Sequence, residues 1–190
     1  MREIEAGVHE IYVQPGEFYV VTEPTVLRTV LGSCVGVAFF AQSKGIAGFC
    51  HPMLPCHAGA HMRAMSRSHS RRYVDFAILD LLGELESLGV LRSEIAVKVF
   101  GGADVLKVVN HPSKPTVGRL NCEAALKVLR EERLQIAASR LGGTSGLAIE
   151  FHSDTGAVLV RKLSGATVEA QDALSRNKPG AMASGIGKDR

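Results

Sequence analysis

The 190-residue chain has no tryptophan, and aromatic residues make up only 5% of it, so the stacking platforms that single-stranded nucleic acid requires are scarce. A strong excess of one charge is missing too. Lys and Arg number 22 against 19 Asp and Glu, a formal net charge of +3, which is no electrostatic footprint for a polyanion. Uninterrupted apolar runs fall far short of the roughly 20 residues that cross a bilayer, and the start Met1-Arg2-Glu3-Ile4-Glu5 lacks the apolar core of a signal peptide. Four cysteines, Cys34, Cys50, Cys56 and Cys122, lie without the dense spacing of a secreted disulfide framework. The expectation is free thiols in a reducing cytoplasm, no nucleic-acid partner and no direct insertion into a membrane.

What is present is a chain that is 46% hydrophobic, enough for one domain with a substantial core. From Ser164 onward Gly, Ala, Ser, Lys and Asn dominate, and such a composition buries little apolar surface. The expected division is a domain at residues 1–163 and a flexible C-terminal tail at 164–190.

The stretch Leu31-Gly32-Ser33-Cys34-Val35, followed seventeen residues later by His51, is the most informative part. Cys34 to Phe40 is apolar, Gln42-Ser43-Lys44-Gly45 is turn-like, and Ile46 to Leu54 is apolar again, which reads as strand, tight turn, strand. If Gln42 faces Gly45, counting outward places Gly36 opposite His51, with Cys34 two residues along on the same face. Cβ atoms in that diagonal relation lie roughly 7–8 Å apart or somewhat less, within side-chain reach. A thiol beside an imidazole is a candidate nucleophile and base. Gly32 and Gly36 are expected to leave open backbone around the sulfur, as room for a substrate. Spacing alone favours a plainer reading, a buried cysteine packing as a small hydrophobe and a structural histidine.

Elsewhere, Glu10-Ile11-Tyr12-Val13 and Phe18-Tyr19-Val20-Val21 flank Gln14-Pro15-Gly16-Glu17 and predict a small hairpin, with Thr25 to Leu31 extended after it. Leu54 to Arg72 reads as a mobile loop. Val74, Ile78, Leu81, Leu82, Leu85 and Leu88 recur at helical steps and Gly89 offers a stop. A second helix is expected from near Asn121, taken as its N-cap, to Arg133. Strands are expected at Ile95–Phe100, Leu134–Ser139, Leu147–Phe151 and Ala157–Arg161, the last two joined by Ser153-Asp154-Thr155-Gly156. Many strands and two long helices, without repeated strand-helix-strand units, predict an α+β layered fold with mixed or mainly antiparallel sheets.

Cys50, His51, Cys56, His57 and His61 offer a rival zinc chemistry. Adjacent strand residues point to opposite faces, however, and no Cys-x-x-Cys pair accompanies them, so neither a metal nor another cofactor is expected. Arg63, Arg67, Arg71 and Arg72 read as a solvated charge run, with a patch that steers acidic helices as the alternative. The Gly101-Gly102 and Gly142-Gly143 pairs read as strand-end turns, or as places where a substrate approaches the backbone.

From about Val20 to Leu163 the chain resembles the CheD family of chemoreceptor glutamine deamidases. The resemblance rests on Arg28-Thr29-Val30-Leu31-Gly32-Ser33-Cys34-Val35, Ala47-Gly48-Phe49-Cys50-His51-Pro52-Met53-Leu54-Pro55 and Tyr73-Val74-Asp75-Phe76-Ala77. It continues through Val99-Phe100-Gly101-Gly102-Ala103, Val117-Gly118-Arg119-Leu120-Asn121, Gly142-Gly143 and Thr155-Gly156. It implies a β-sandwich with helices outside, and a cytoplasmic protein-glutamine glutaminase with Cys34, His51 and Thr29 as the catalytic set. The Gly32-Ser33-Cys34 backbone is the nearest source of oxyanion donors, with Gly32 and Ser33 as the candidate residues. Implied partners are the cytoplasmic helices of methyl-accepting chemotaxis receptors and a CheC-like phosphatase. A non-catalytic regulatory module that docks on the same partners, and a receptor methylesterase, are the other readings. Four residues separate Thr29 from Cys34, one fewer than in some members, and a one-residue shift in a strand moves a side chain to the other face. The residues themselves leave Thr29 equally readable as an ordinary β-branched strand residue.

Overall fold

The computed structural model describes residues 9–56, 70–105 and 115–163. The expected tail from residue 164, and most of the expected loop between Leu54 and Arg72, lie outside the described residues. Nine strands alternate with two long helices: β1 (His9–Tyr12), β2 (Phe18–Val21), β3 (Thr25–Leu31), β4 (Val35–Ala41), β5 (Ile46–Cys50), α1 (Val74–Ser87), β6 (Ala96–Gly101), α2 (Val117–Glu131), β7 (Gln135–Leu141), β8 (Leu147–His152) and β9 (Val158–Lys162). They form a four-stranded sheet in the order β1-β3-β8-β9 and a five-stranded sheet in the order β2-β5-β4-β6-β7. The β1–β3 and β6–β7 pairs are parallel and the others antiparallel. The expected α+β sandwich is therefore present. Both helices pack on the outer face of the five-stranded sheet, so the layers run helices, five strands, four strands.

Two cores follow from this layering. Val35, Val37, Phe39 and Cys50 of β4 and β5 meet Ile78, Leu81, Leu82 and Leu85 of α1 and Ala125 and Leu129 of α2. These leucines are at most 1% exposed, and burying each contributes about 1.5–3 kcal/mol against leaving it in water. Between the sheets, Ala38, Ala47 and Phe49 meet Leu27 and Leu31 of β3 and Ile149 and Phe151 of β8. Period-two alternation assigns even residues of β4 and odd residues of β5 to this second core.

Two sequence expectations need correction. The segments at Glu10–Val13 and Phe18–Val21 do not pair with each other. The turn between them exists, with Glu17 N–H on the Gln14 carbonyl at 3.0 Å, but β1 joins β3 in one sheet and β2 joins β5 in the other. An isolated hairpin with such short arms is marginal, and each arm gains more by extending a sheet. The second helix starts at Val117, capped by the Thr116 hydroxyl, which accepts from Arg119 N–H at 3.2 Å. Asn121 is one turn inside that helix and 0% exposed, so its side chain is not a cap. α1 ends at Ser87, with Gly89 at φ +79° just beyond, as the sequence predicts.

Candidate active site

The β4–β5 hairpin positions the first two candidates. Its pairs run Ala41↔Ile46 to Val37↔Cys50, which extended by one place Gly36 opposite His51, the register counted from the sequence. The turn is a short 3-10 segment, Gln42–Lys44, closed by Gly45 N–H on the Gln42 carbonyl at 3.2 Å. Cys34 precedes β4 and His51 follows β5, so both sit at one end of the hairpin. Cys34 is half-buried and packs against the inter-sheet core, whereas Cys50 belongs to the helix-side core. The adjacent pair Cys50-His51 thus does face opposite ways.

Thr29 comes from the other sheet. It lies on β3 between Leu27 and Leu31, both in the inter-sheet core, and its hydroxyl is 2.8 Å from His51 Nδ1. Thr29 and His51 are each 2% exposed. The shorter spacing to Cys34 therefore leaves Thr29 on the inward face. The hydroxyl also donates to the Val13 carbonyl at 2.8 Å. A carbonyl only accepts, so the single Thr29 hydrogen goes there and Oγ1 must accept from Nδ1–H. The weaker approach of Nδ1 to the Val13 carbonyl, 3.4 Å, agrees with the same assignment. The network thus fixes the Nδ1–H tautomer, in which Nε2 of the neutral ring carries no hydrogen.

The turn at residues 13–17 completes the histidine's seat. Gly16 N–H donates to the His51 carbonyl at 2.7 Å, and His51 N–H donates to the Glu17 carbonyl at 3.0 Å. Backbone and ring are thereby held by one corner of chain, which the sequence reading misplaced in a hairpin. A main-chain carbonyl such as that of Val13 carries no residue signature, so nothing in the sequence marks it.

The cysteine loop is anchored through three successive carbonyls. Gly32 O accepts from Ala103 N–H at 2.9 Å and Cys34 O from Gly102 N–H at 2.7 Å. Between them, Ser33 O accepts from the Asn121 amide at 2.8 Å. Gly101 and Gly102 adopt φ of +98° and +68°, and a Cβ on Gly101 would lie 2.3 Å from the Cys34 carbonyl. Only glycine tolerates both that backbone and that approach. The Gly101-Gly102 turn is thus a strand-end turn that braces the cysteine from behind, and Gly142-Gly143 braces it in turn, with Gly142 N–H on the Gly101 carbonyl at 2.8 Å.

The glycines near the sulfur do not provide open space. A Cβ on Gly36 would lie 2.7 Å from the Phe49 ring and 2.9 Å from Leu31, and one on Gly32 would lie 3.2 Å from Val105. At Gly36 the Phe49 and Leu31 side chains of the inter-sheet core already occupy the place a Cβ would take, and at Gly32 Val105 stands against it.

The remaining thiols differ in kind. Burial pushes the Cys50 thiol up to about 12, and burial likewise raises that of Cys122; neither is disulfide-bonded. Among the described residues no group of three or more His, Cys, Asp and Glu side chains could hold a metal ion; His57 and His61 lie outside the described residues, as do Arg63 and Arg67. Arg71 is tied down, 3.4 Å from Asp80 and stacked 4.0 Å over the Phe18 ring. No described helix is long and apolar enough to cross a membrane.

Asn121 was missed as a site residue, although a signal existed. Gly118, Asn121, Ala125, Val128 and Leu129 form the buried stripe of α2, and an amide on an otherwise apolar stripe is the unusual member.

Comparison with known proteins gives a consistent result. A family model described as CheD chemotactic sensory transduction matches residues 53–162. The chain is 40% identical over 153 residues to the probable chemoreceptor glutamine deamidase CheD 2 of Geobacter sulfurreducens, covering 80% of this chain and 89% of that protein. It is 36% identical to the chemoreceptor glutamine deamidase CheD of Halalkalibacterium halodurans, over 80% of this chain and 92% of that protein. It is also 36% identical to the probable chemoreceptor glutamine deamidase CheD of Pseudomonas savastanoi, over 90% and 94% of the two chains.

Proposed function

The chain belongs to the CheD family, and on that premise we propose that it is a chemoreceptor glutamine deamidase in which Cys34 is the nucleophile, His51 the acid and base, and Thr29 the group that orients His51. The observation that carries this reading is the 2.8 Å Thr29–His51 bond across the two sheets, at the end of the hairpin that also carries Cys34.

The chemistry is acyl transfer. The Cys34 thiolate attacks the glutamine side-chain carbonyl carbon, forming a C–S bond. Imidazolium His51 first stabilises the thiolate, then gives its Nε2 proton to the departing nitrogen, so that the C–N bond breaks and ammonia leaves. Neutral Nε2 next takes a proton from water, which attacks the thioester; the C–S bond breaks and glutamate is released. Thr29 adds no negative charge, unlike a carboxylate, and acts through a relay in which the Val13 carbonyl polarises the hydroxyl that accepts from Nδ1–H.

The oxyanion donors follow from peptide geometry. In a trans peptide the carbonyl and the next N–H point opposite ways, and no cis bond occurs among the described residues. With the Gly32 carbonyl drawn toward Ala103 and the Ser33 carbonyl toward Asn121, the Ser33 N–H points away from Ala103 and the Cys34 N–H away from Asn121. These two are the proposed donors, a narrower assignment than the Gly32-Ser33-Cys34 backbone as a whole.

The proposed site of action is the cytoplasm, against the cytoplasmic helices of methyl-accepting receptors, with a CheC-like phosphatase as a second partner class. The test is incubation of purified receptor with the full chain, followed by ammonia assay and mass spectrometry of receptor peptides. Each converted glutamine gains about one mass unit, since water replaces ammonia in acyl transfer. Wild type is expected to release ammonia and Cys34→Ala none; release by Cys34→Ala at the wild-type rate would overturn the reading, and methanol release without ammonia would make the protein an esterase.

A further inference from the structure

Asn121 sits on α2, yet its side-chain amide bridges two loops that belong to neither helix. Nδ2 donates to the Ser33 carbonyl at 2.8 Å and to the Met53 carbonyl at 2.9 Å. One acceptor immediately precedes Cys34 and the other lies two residues beyond His51. Both are carbonyls, so the amide orientation is forced. Its own oxygen is buried with no hydrogen-bond partner among the described residues. An apolar side chain of similar size would avoid that unsatisfied acceptor, but it would strand two carbonyls in its place.

The backbone link between the two loops is otherwise long. Beyond the last full hairpin pair, Val35 N–H reaches the Pro52 carbonyl at 3.3 Å, a weaker bond than those of the Asn121 amide. We infer that Asn121 is a positioning residue, which sets the separation of Cys34 and His51 by clamping the strand ends that carry them. This rests on the reading of Cys34 and His51 as a catalytic pair. Asn121 acts through the Ser33 and Met53 carbonyls and performs no chemical step; it fixes distance. A displacement of about 1 Å in such a pair can cost about a hundredfold in rate, and it also weakens the field by which an imidazolium favours the thiolate.

The test uses the full chain with Asn121→Ala. Its kcat on receptor is expected to fall about tenfold to a hundredfold with KM little changed, and alkylation of Cys34 by iodoacetamide is expected to slow near neutral pH, with its pH profile displaced upward. Val128→Ala serves as the control for general destabilisation, since it lies on the same helix in the helix-side core; it should lower the melting temperature and leave both kcat and the Cys34 profile as in wild type. Asn121→Ser, with one donor left, should fall between. A stable Asn121→Ala with wild-type kcat and an unmoved Cys34 profile would overturn the inference. So would failure of both Asn121 variants to fold, which would make the amide a requirement of folding alone. The underlying reading fails separately, if Cys34→Ala remains active.

Discussion

The two faces of the β4–β5 hairpin share a backbone and differ in almost everything else. On the helix side, Val35, Val37, Phe39 and Cys50 meet a dry layer of leucines, and the thiol there is pushed up to about 12. On the sheet side, the end of the same hairpin carries a half-buried Cys34 and a His51 whose ring is held by a hydroxyl from the other sheet. Neighbouring residues, Cys50 and His51, therefore live in different chemistries. Burial alone makes a thiol inert, because it disfavours the thiolate; a polar seat at the rim of a core is needed for reactivity.

The sharpest way to break this contrast is to delete each thiol. Cys34→Ala is expected to abolish deamidation, and His51→Ala to lower it by about 10²–10⁴-fold, with the double variant no slower than Cys34→Ala because the pair acts as a unit. Cys50→Ala should retain activity and cost about 1–2 kcal/mol of stability through the small cavity it leaves. Receptor deamidation rates and urea unfolding of the four variants decide it. Loss of activity in Cys50→Ala at unchanged stability would show that the faces are not independent.

Labelling separates the same thiols without mutation. With iodoacetamide near neutral pH, Cys34 should react more than about a hundredfold faster than Cys50, since the latter holds its proton and lies out of reach of solvent. Mass-resolved time courses would check this. Comparable rates would mean that the helix-side core opens readily, or that Cys34 is not activated.

The hairpin register, the helix at Val74–Ser87 and the last four strands were legible because alternation and helical stripes are local patterns that packing then reinforced. Pairing partners were less so. The Gln14–Glu17 turn was recognisable, but which sheet each flanking strand joins depends on distant β3 and β5, about which a four-residue segment says nothing. Thr29 was identified by resemblance, and its inward orientation depends on the β3 register against β8, Thr29↔Ile149. Open space beside Gly36 was a wrong expectation because the Phe49 ring that fills it lies across the hairpin. Asn121 was seen and misassigned, since a cap and a buried clamp draw on the same short amide.

Thr29 tests whether the polar seat matters beyond filling space. Thr29→Val keeps the shape and removes the bonds to His51 and to the Val13 carbonyl, and should lower deamidation by about tenfold to a hundredfold, or about 1–3 kcal/mol of transition-state stabilisation. Thr29→Ser keeps the hydroxyl and should retain more. Deamidation assays with circular dichroism as the folding control would separate the two roles; a Val variant as fast as wild type would leave a Cys34–His51 dyad oriented by the backbone corner at residues 13–17.

The smallest effect concerns the inert face alone. Burial moves the Cys50 thiol from 9.0 up to about 12, so the unfolded chain releases this proton near pH 9 while the folded protein holds it to about pH 12. Between those limits the unfolded state binds fewer protons than the folded one, and stability falls as pH rises, by about 1.4 kcal/mol per unit for this one group. The contribution is intact below pH 9 and gone once the pH has risen through about 12. Cys50→Ala removes the titrating group and therefore its slope, while every other thiol, tyrosine and lysine remains in both proteins. From about pH 8 to about pH 10, urea unfolding should show wild type losing about 1.4 kcal/mol more stability than Cys50→Ala. Equal losses would mean that the Cys50 thiol titrates in the folded protein as it does in the unfolded chain, and that the helix-side face is wetter than its packing indicates.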